Sequence, residues 1–281
     1  MSAARPSLRV DEAIAAASLL LPGTSPRLDA ELLLAHILDC SRTALFTHPE
    51  NRLDKAQQAR YRALIERRRH GEPLAYLVGT REFWSLQLDV SPAVLVPRPE
   101  TETLVEAAIE LLQPGMMVVD AGTGTGAIAL ALRSEQDAGR VLATDISHAA
   151  LAIAHGNARR LDLDVTFVCA DWLGVFVAQT LDLVVSNPPY IVAADPHLET
   201  DGVAHEPRLA LVGGGTDGLD AIRKLVVDAH RCLRSGGWFA TEHGYDQAET
   251  VRNLLRDSRF TEVHSRTDLA GLERVTLGRR T

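Results

Sequence analysis

Apolar residues along the chain change their period twice. From residue 8 to about 75 they recur at steps of three and four, the repeat of a helix with one buried face. Leu8, Val10, Ala13, Ile14, Ala17 and Leu20 or Leu21 form one such run, closed by Pro22-Gly23. Pro26 opens a second with Leu28, Leu32, Leu33, Ala35 and Ile37. Asp54 is placed to cap a third that ends at Gly71. Residues 1–75 are therefore expected to form a small bundle of three or four amphipathic helices. The Arg67-Arg68-Arg69-His70 run is read first as a solvated last turn matched to the helix dipole, ahead of a phosphate contact. Between 76 and 98 the period drops to two through Phe83, Leu86, Leu88 and Val90, and Val94-Leu95-Val96 follows Pro92. That pattern predicts a hairpin joining two domains.

From residue 99 the rhythm becomes strand, loop, helix, the mark of a parallel sheet in an α/β domain. Strands are expected at 117–120, 141–145, 165–169, 181–185 and 238–242, with two closing strands at 260–264 and 274–277. Helices are expected after Thr101 as N-cap, over 147–161, 219–234 and 246–257. Residues 191–218 form a long loop, and loops of that length in compact domains usually carry function. Glu206 and Arg208 are candidate contacts in it. Gly213-Gly214-Gly215 lacks the Gly-Lys-Ser/Thr ending of a phosphate cradle and is read as a flexible turn.

Composition changes this picture little. With 281 residues, 46% hydrophobic and 23% charged, the chain has the make-up of an ordinary globular protein of about two domains. The net charge of −8 argues against broad affinity for nucleic acid. Three widely spaced cysteines form neither a zinc pattern nor a disulfide framework, so a cytoplasmic setting is expected. No apolar run approaches the ~18 residues of a membrane span. The ten histidines show no metal-ligand spacing.

Candidate chemistry lies at the expected strand ends. Ala121-Gly122-Thr123-Gly124-Thr125-Gly126 follows a strand and precedes a helix, and its glycines permit positive φ and close approach. Asp145 ends the next strand about twenty residues on, where a carboxylate can accept both hydroxyls of a ribose. Asp171 and Trp172 end the third; the acid suits an adenine amino group, and the ring either packs on a base or fills the core. The fourth strand ends in Ser186-Asn187-Pro188-Pro189-Tyr190. The prolines hold Asn187 and Pro188 extended and remove N–H donors. The Asn187 side-chain oxygen and the Pro188 carbonyl can then grip an –NH2 group by both hydrogens, which suits methylation of an amide or exocyclic amine. A plain Asn-Pro turn is the bland alternative. Gly122, Gly124 and Ala127 also satisfy the dinucleotide pattern Gly-x-Gly-x-x-Ala, but an oxidoreductase leaves the Asn187 turn unexplained. Arg98 and Glu100 suit either a ligand or each other. Glu242 and His243 end a strand on the same rim and are read as support.

The chain also resembles a known family. Its carboxyl-terminal two thirds is similar to the class I S-adenosylmethionine-dependent methyltransferases, and the whole resembles the HemK-type protein-(glutamine) methyltransferases. The resemblance rests on Gly71-Glu72-Pro73-Leu74-Ala75-Tyr76, Arg81-Glu82-Phe83-Trp84, Pro97-Arg98-Pro99-Glu100-Thr101-Glu102, the Gly122 loop, Asn187-Pro188-Pro189-Tyr190, Glu206-Pro207-Arg208 and Glu242-His243-Gly244-Tyr245-Asp246-Gln247. Methylases of adenine in DNA share the Asn-Pro-Pro-Tyr turn, so the flanking motifs carry the specificity, and a DNA or RNA amine methyltransferase stands as the alternative. The resemblance implies a Rossmann-like seven-stranded sheet with its last strand antiparallel, over 99–281, behind an N-terminal helical docking domain and the 76–98 hairpin. It implies S-adenosyl-L-methionine as cofactor, held by Gly122, Thr123, Gly124, Thr125 and Gly126 at its methionine part, Asp145 at its ribose and Trp172 at its adenine. Asn187 and Pro188 would hold the glutamine amide of the Gly-Gly-Gln motif of release factors, with Pro189 and Tyr190 completing the turn and Tyr190 packing on that side chain. No metal, no membrane, no direct nucleic acid partner and a monomer are expected.

Overall fold

A computed structural model describes residues 8–135, 139–200 and 202–281. Residues 1–7 of the expected helical segment and residue 201 of the expected loop lie outside the described residues. The chain divides into two compact units, one of residues 1–79 with 199–205 and one of 80–198 with 206–281.

The first unit contains α1 (Val10–Ser18), α2 (Pro26–Leu38), α3 (Arg42–Thr47), α4 (Lys55–Arg69) and α5 (Leu74–Val78). Asp54 caps α4 as its sequence suggests: its carboxylate accepts the Gln57 amide at 2.8 Å, and the Gln57 side chain accepts the Asp54 amide at 2.9 Å. Val10, Ile14, Leu33, Leu34, Ile37, Leu45, Tyr61 and Ile65 close around one core. Gly202 donates its amide to the Gly71 carbonyl at 2.8 Å, which ties the 199–205 segment into this unit.

The second unit begins with a hairpin, β1 (Thr80–Phe83) and β2 (Leu86–Asp89), and continues through α6 (Glu102–Ile109), β3 (Met117–Ala121), α7 (Ala127–Ser134), β4 (Arg140–Asp145), α8 (His148–Leu161), β5 (Thr166–Cys169), β6 (Leu181–Ser186), α9 (Asp220–Cys232), β7 (Leu233–Glu242), α10 (Ala248–Asp257), β8 (Phe260–Thr267) and β9 (Glu273–Arg280). The seven strands from β3 onward form one sheet in the order β5-β4-β3-β6-β7-β9-β8. Strands β3 to β7 run parallel, and the last strand, β9, lies antiparallel between β7 and β8. The seven-stranded α/β expectation holds.

Burial on both faces explains the apolar runs of β3 and β6. Val118, Leu183 and Val185 pack into one core with α6, α7 and the hairpin, while Val119, Val184 and Phe239 enter a second with α9 and α10. Several elements differ in length from their sequence pattern. Strand β7 starts at Leu233 rather than 238, because Leu233 pairs with Leu181 ahead of a register shift. Helix α6 stops at Ile109, short of Leu112.

The strand order places the site. Helical crossovers from β3 lead to β4 on one side, and β6 joins β3 on the other, so connections leave in opposite directions at the β3–β6 boundary. Val118, Val119 and Asp120 pair with Leu183, Val184 and Val185. The loops that follow Ala121 and Ser186 therefore leave neighbouring strands at a topological switch point, where parallel sheets bind ligands.

Candidate functional site

A cavity of about 460 Å³ opens at that switch point, lined on one side by Gly122, Thr123, Gly124, Thr125, Asp145 and Trp172 and on the other by Asn187 and Pro189. Gly126, Pro188 and Tyr190 adjoin these residues in sequence but are not part of the lining. The expected cofactor and amide residues are thus brought to one place by β3, β4 and β6, with Trp172 contributed just beyond β5.

The glycine loop is built from its own hydrogen bonds. Gly122 and Thr123 both donate to the Thr144 carbonyl, at 2.8 and 2.9 Å, and Gly126 donates to Thr123. Gly124 donates to an Asp145 carboxylate oxygen at 2.9 Å. Four loop amides are therefore already committed inside the protein. The glycines serve mainly the backbone: Gly122, at φ +78°, lies so close to the Trp172 ring that a Cβ would sit 2.8 Å from it.

Asp145 has one carboxylate oxygen on Gly124 and the other on the Ser147 amide at 2.8 Å. Each oxygen keeps a further lone pair, so the acid is oriented without being used up. Asp120 is wholly buried beneath the loop. It accepts the Thr123 hydroxyl at 2.5 Å and the Ala129 amide at 3.2 Å, and burial pushes its carboxyl up to about 7. Asp171 pairs with Lys224 on the cavity's edge.

On the other side, the buried Ser186 hydroxyl donates to the Ala121 carbonyl at 2.6 Å and locks the two loops' roots together. Asn187 donates through Nδ2 to Thr101 Oγ1 at 3.0 Å. Thr101 stands at the N-cap of α6, as its sequence suggests, but its side chain makes no cap bond and accepts from Asn187 instead. Tyr190 donates its hydroxyl to Glu242 Oε1 at 3.2 Å. Glu242 is buried at the end of β7, and its carboxyl is pushed up to about 7 by that burial, opposed by the Thr101 and Tyr190 hydroxyls and by Arg274.

Three further sets of residues stand around the turn. The Arg98 guanidinium donates to Glu206 Oε1 at 2.6 Å rather than pairing with Glu100, and Arg98 also lines the cavity. Glu206 is buried, which raises its carboxyl pKa despite Arg98. Gly213, read from sequence as part of a flexible turn, is instead pressed on the Asn-Pro-Pro-Tyr segment. A Cβ there would lie 1.9 Å from the Gly218 carbonyl, 2.5 Å from the Pro189 carbonyl and 2.8 Å from Tyr190 Cα. Gln247 closes the brace by donating to the Tyr190 and Asp217 carbonyls at 3.0 Å each.

Residues 12–79 match the family model "PrmC N-terminal domain", and residues 99–207 match "Methyltransferase small domain". The chain is 48% identical to a release factor glutamine methyltransferase of Xylella fastidiosa over 256 residues, covering 90% of this chain and 93% of that protein. It is 47% identical to one of Burkholderia pseudomallei, covering 94% and 95%. The chain belongs to the release factor glutamine methyltransferase family. At the level of fold, it is similar to a methyltransferase from Pyrococcus furiosus at 17% identity and a TM-score of 0.55, over 81% of this chain and 99% of that one.

The sequence points to Thr101, Arg98, Glu206 and Gly213, but not to the contacts they make: Thr101 with Asn187, Arg98 with Glu206, and Gly213 with the Asn-Pro-Pro-Tyr turn. Gly213 reads locally as slack, one of a glycine cluster inside a long loop. The others are linked across 86 and 108 residues, which no local pattern reports.

Proposed function

We propose that this protein transfers a methyl group from S-adenosyl-L-methionine to the side-chain amide nitrogen, N5, of the glutamine in the Gly-Gly-Gln motif of bacterial class I release factors. The observation that carries the reading is the meeting, at one switch point, of a ribose-type carboxylate with an asparagine turn whose amide is already oriented from behind.

The residues present suit the cofactor. Asp145 keeps lone pairs for two vicinal hydroxyls, and Trp172 with Ile146 and Ala150 offers an aromatic and aliphatic wall for adenine. Gly122, Thr123, Gly124, Thr125 and Gly126, with the start of α7, leave a narrow backbone-lined space for the methionine part. When bound, S-adenosyl-L-methionine supplies an electrophilic methyl group on a positively charged sulfur.

The protein's task is then to present an unreactive amide nitrogen. Asn187 Oδ1 and the Pro188 carbonyl accept its two hydrogens and hold its lone pair toward the methyl group. Pro189 keeps the turn rigid, and Tyr190 packs beside the glutamine side chain. Positioning of this kind can supply about 7–11 kcal/mol of a barrier reduction. Acceptors around the nitrogen also favour the positive charge that reaches it in the transition state. No nucleophile from the protein is needed, and water can take the proton that the methylated nitrogen sheds.

We assign residues 1–75 to docking of the release factor, 76–98 to the joining hairpin and 99–281 to methyl transfer. Among the described residues no helix is long and apolar enough to cross a membrane. The three cysteines are free thiols, which supports a cytoplasmic setting. The test is to incubate the protein with labelled cofactor and purified release factor and to map the modified residue by mass spectrometry. Label on the glutamine of Gly-Gly-Gln is expected; label on nucleic acid instead would overturn the assignment.

A further inference from the structure

An asparagine amide that must accept from its substrate can face the wrong way. Its oxygen and nitrogen ends have nearly the same shape, so only their neighbours decide which end points where. If Asn187 turned Nδ2 toward the cavity, it would oppose the donors of an incoming –NH2 group. The neighbour that touches Asn187 is Thr101, and a hydroxyl cannot settle the matter alone, because it donates or accepts equally well.

The deciding group stands one step further back. Glu242 is 1% exposed, and Tyr190 donates to its Oε1. Its Oε2 is buried with no hydrogen-bond partner among the described residues, an open acceptor toward which the Thr101 hydroxyl, one of the groups that favour the charged form, can turn its proton. A carboxylate only accepts. It therefore draws the Thr101 proton and leaves Thr101 Oγ1 with lone pairs alone for Asn187.

We infer that Thr101 and Glu242 are positioning residues that fix the orientation of the Asn187 amide, with Nδ2 locked inward and Oδ1 presented to the substrate. The inference deepens the proposed function and rests on it, since it needs Asn187 to hold a substrate –NH2. It also explains why a buried carboxylate with no lysine or arginine bonded to it among the described residues sits behind a reaction that needs no base from the protein.

The arrangement ties the amide's orientation to protonation. Thr101, Tyr190, Arg274 and Glu100 are the groups that bear on the Glu242 carboxyl, which burial pushes up to about 7. Protonated, it can donate to Thr101 Oγ1, and the Thr101 hydroxyl is then free to donate to Asn187 Oδ1. The wrong orientation becomes accessible as the pH falls.

The test compares Thr101→Val, which keeps the shape and removes the hydroxyl, with Thr101→Ser, which keeps the hydroxyl. With release factor as substrate, Thr101→Val is expected to lower kcat about ten- to hundredfold, the scale of facing one buried donor with another. Affinity for S-adenosylhomocysteine should stay within about threefold, and Thr101→Ser should recover most of the rate. The wild-type kcat should rise with pH through about 7, and Thr101→Val should lose that rise. Thr101→Ala serves in the same role if the valine variant does not fold. A wild-type protein that methylates release factor beside a Thr101→Val protein with equal kcat and the same pH profile would overturn the inference alone. A wild-type protein that does not methylate release factor would overturn the proposed function.

Discussion

Gly213→Ala probes how closely the amide turn is held. A methyl group at residue 213 would lie 1.9 Å from the Gly218 carbonyl, against the 3.0 Å below which real Cβ contacts essentially never fall, so at least 1.1 Å must open there. A further 0.5 Å must open toward the Pro189 carbonyl, which the added atom would meet at 2.5 Å. Both obstacles are backbone and cannot rotate away. The loop is also tied, since Gly213 donates to the Ile191 carbonyl at 3.1 Å and accepts from Ala221 at 3.0 Å. The strain is shared between the Gly218 carbonyl and the Asn-Pro-Pro-Tyr turn, whose Pro189 and Tyr190 close the other side. Overpacking of this sort costs about 1–3 kcal/mol, which a domain of ordinary stability survives. A displacement near 1 Å at residues that align reacting groups costs about a hundredfold in rate. Gly213→Ala should therefore fold, bind S-adenosylhomocysteine within about threefold of wild type by calorimetry, and lose about two orders of magnitude in kcat toward release factor. Gly156→Ala is the control, because it lies in α8 with nothing within 4 Å of the added methyl group. A folded Gly213→Ala protein with wild-type kcat would falsify the claim that this glycine sets the turn.

Other outcomes follow from single contacts. Arg98→Met should destabilise the protein by about 3–5 kcal/mol in chemical denaturation, by stranding the buried Glu206 carboxylate, and Arg98→Met with Glu206→Leu should recover most of that loss. Asp145→Ala should weaken S-adenosylhomocysteine binding about a hundredfold or more in calorimetry, from two lost charge-assisted bonds and a loosened Gly124 amide. Glu242→Gln bears on stability in a stated direction. The Glu242 carboxyl rises from 4.5 to about 7 on folding, so its burial costs nothing below pH 4.5 and progressively more as pH climbs to about 7. The glutamine variant should gain on wild type over that window, by about 3 kcal/mol at most, read as a Tm difference that grows with pH. A Tm difference that stays flat from pH 5 to 8 would refute the buried charge.

The cofactor side of the site was legible because each of its parts is announced locally. Every βα unit ends its strand and begins its helix within a few residues, so the glycines after Ala121 and the acid at Asp145 appear in the sequence beside the strands that aim them. Apolar runs such as 181–185 mark strands buried on both faces, and that alone predicts a parallel sheet. Lengths were less legible, since pairing sets them: β7 reaches back to Leu233 only because Leu181 is there to receive it.

The bracing of the substrate side, behind an Asn187 turn that the sequence does announce, is assembled differently, and a linear reading misses it for the same physical reason. Its working parts come from the turn before α6, the end of β6, the loop before α9 and the end of β7, so each contact depends on which strands are neighbours. Thr101 reads locally as a helix cap, and Gly213 as slack in a loop. Both readings are chemically sound for an isolated segment. What overrides them is the placement of β6 between β3 and β7, which brings Asn187 to Thr101, Tyr190 to Glu242 and Pro189 to Gly213 at once. An amide with no reactivity of its own has to be held from several directions, and several directions in a sheet mean several strands. The part of this site that does the holding is therefore the part a linear reading is least able to see.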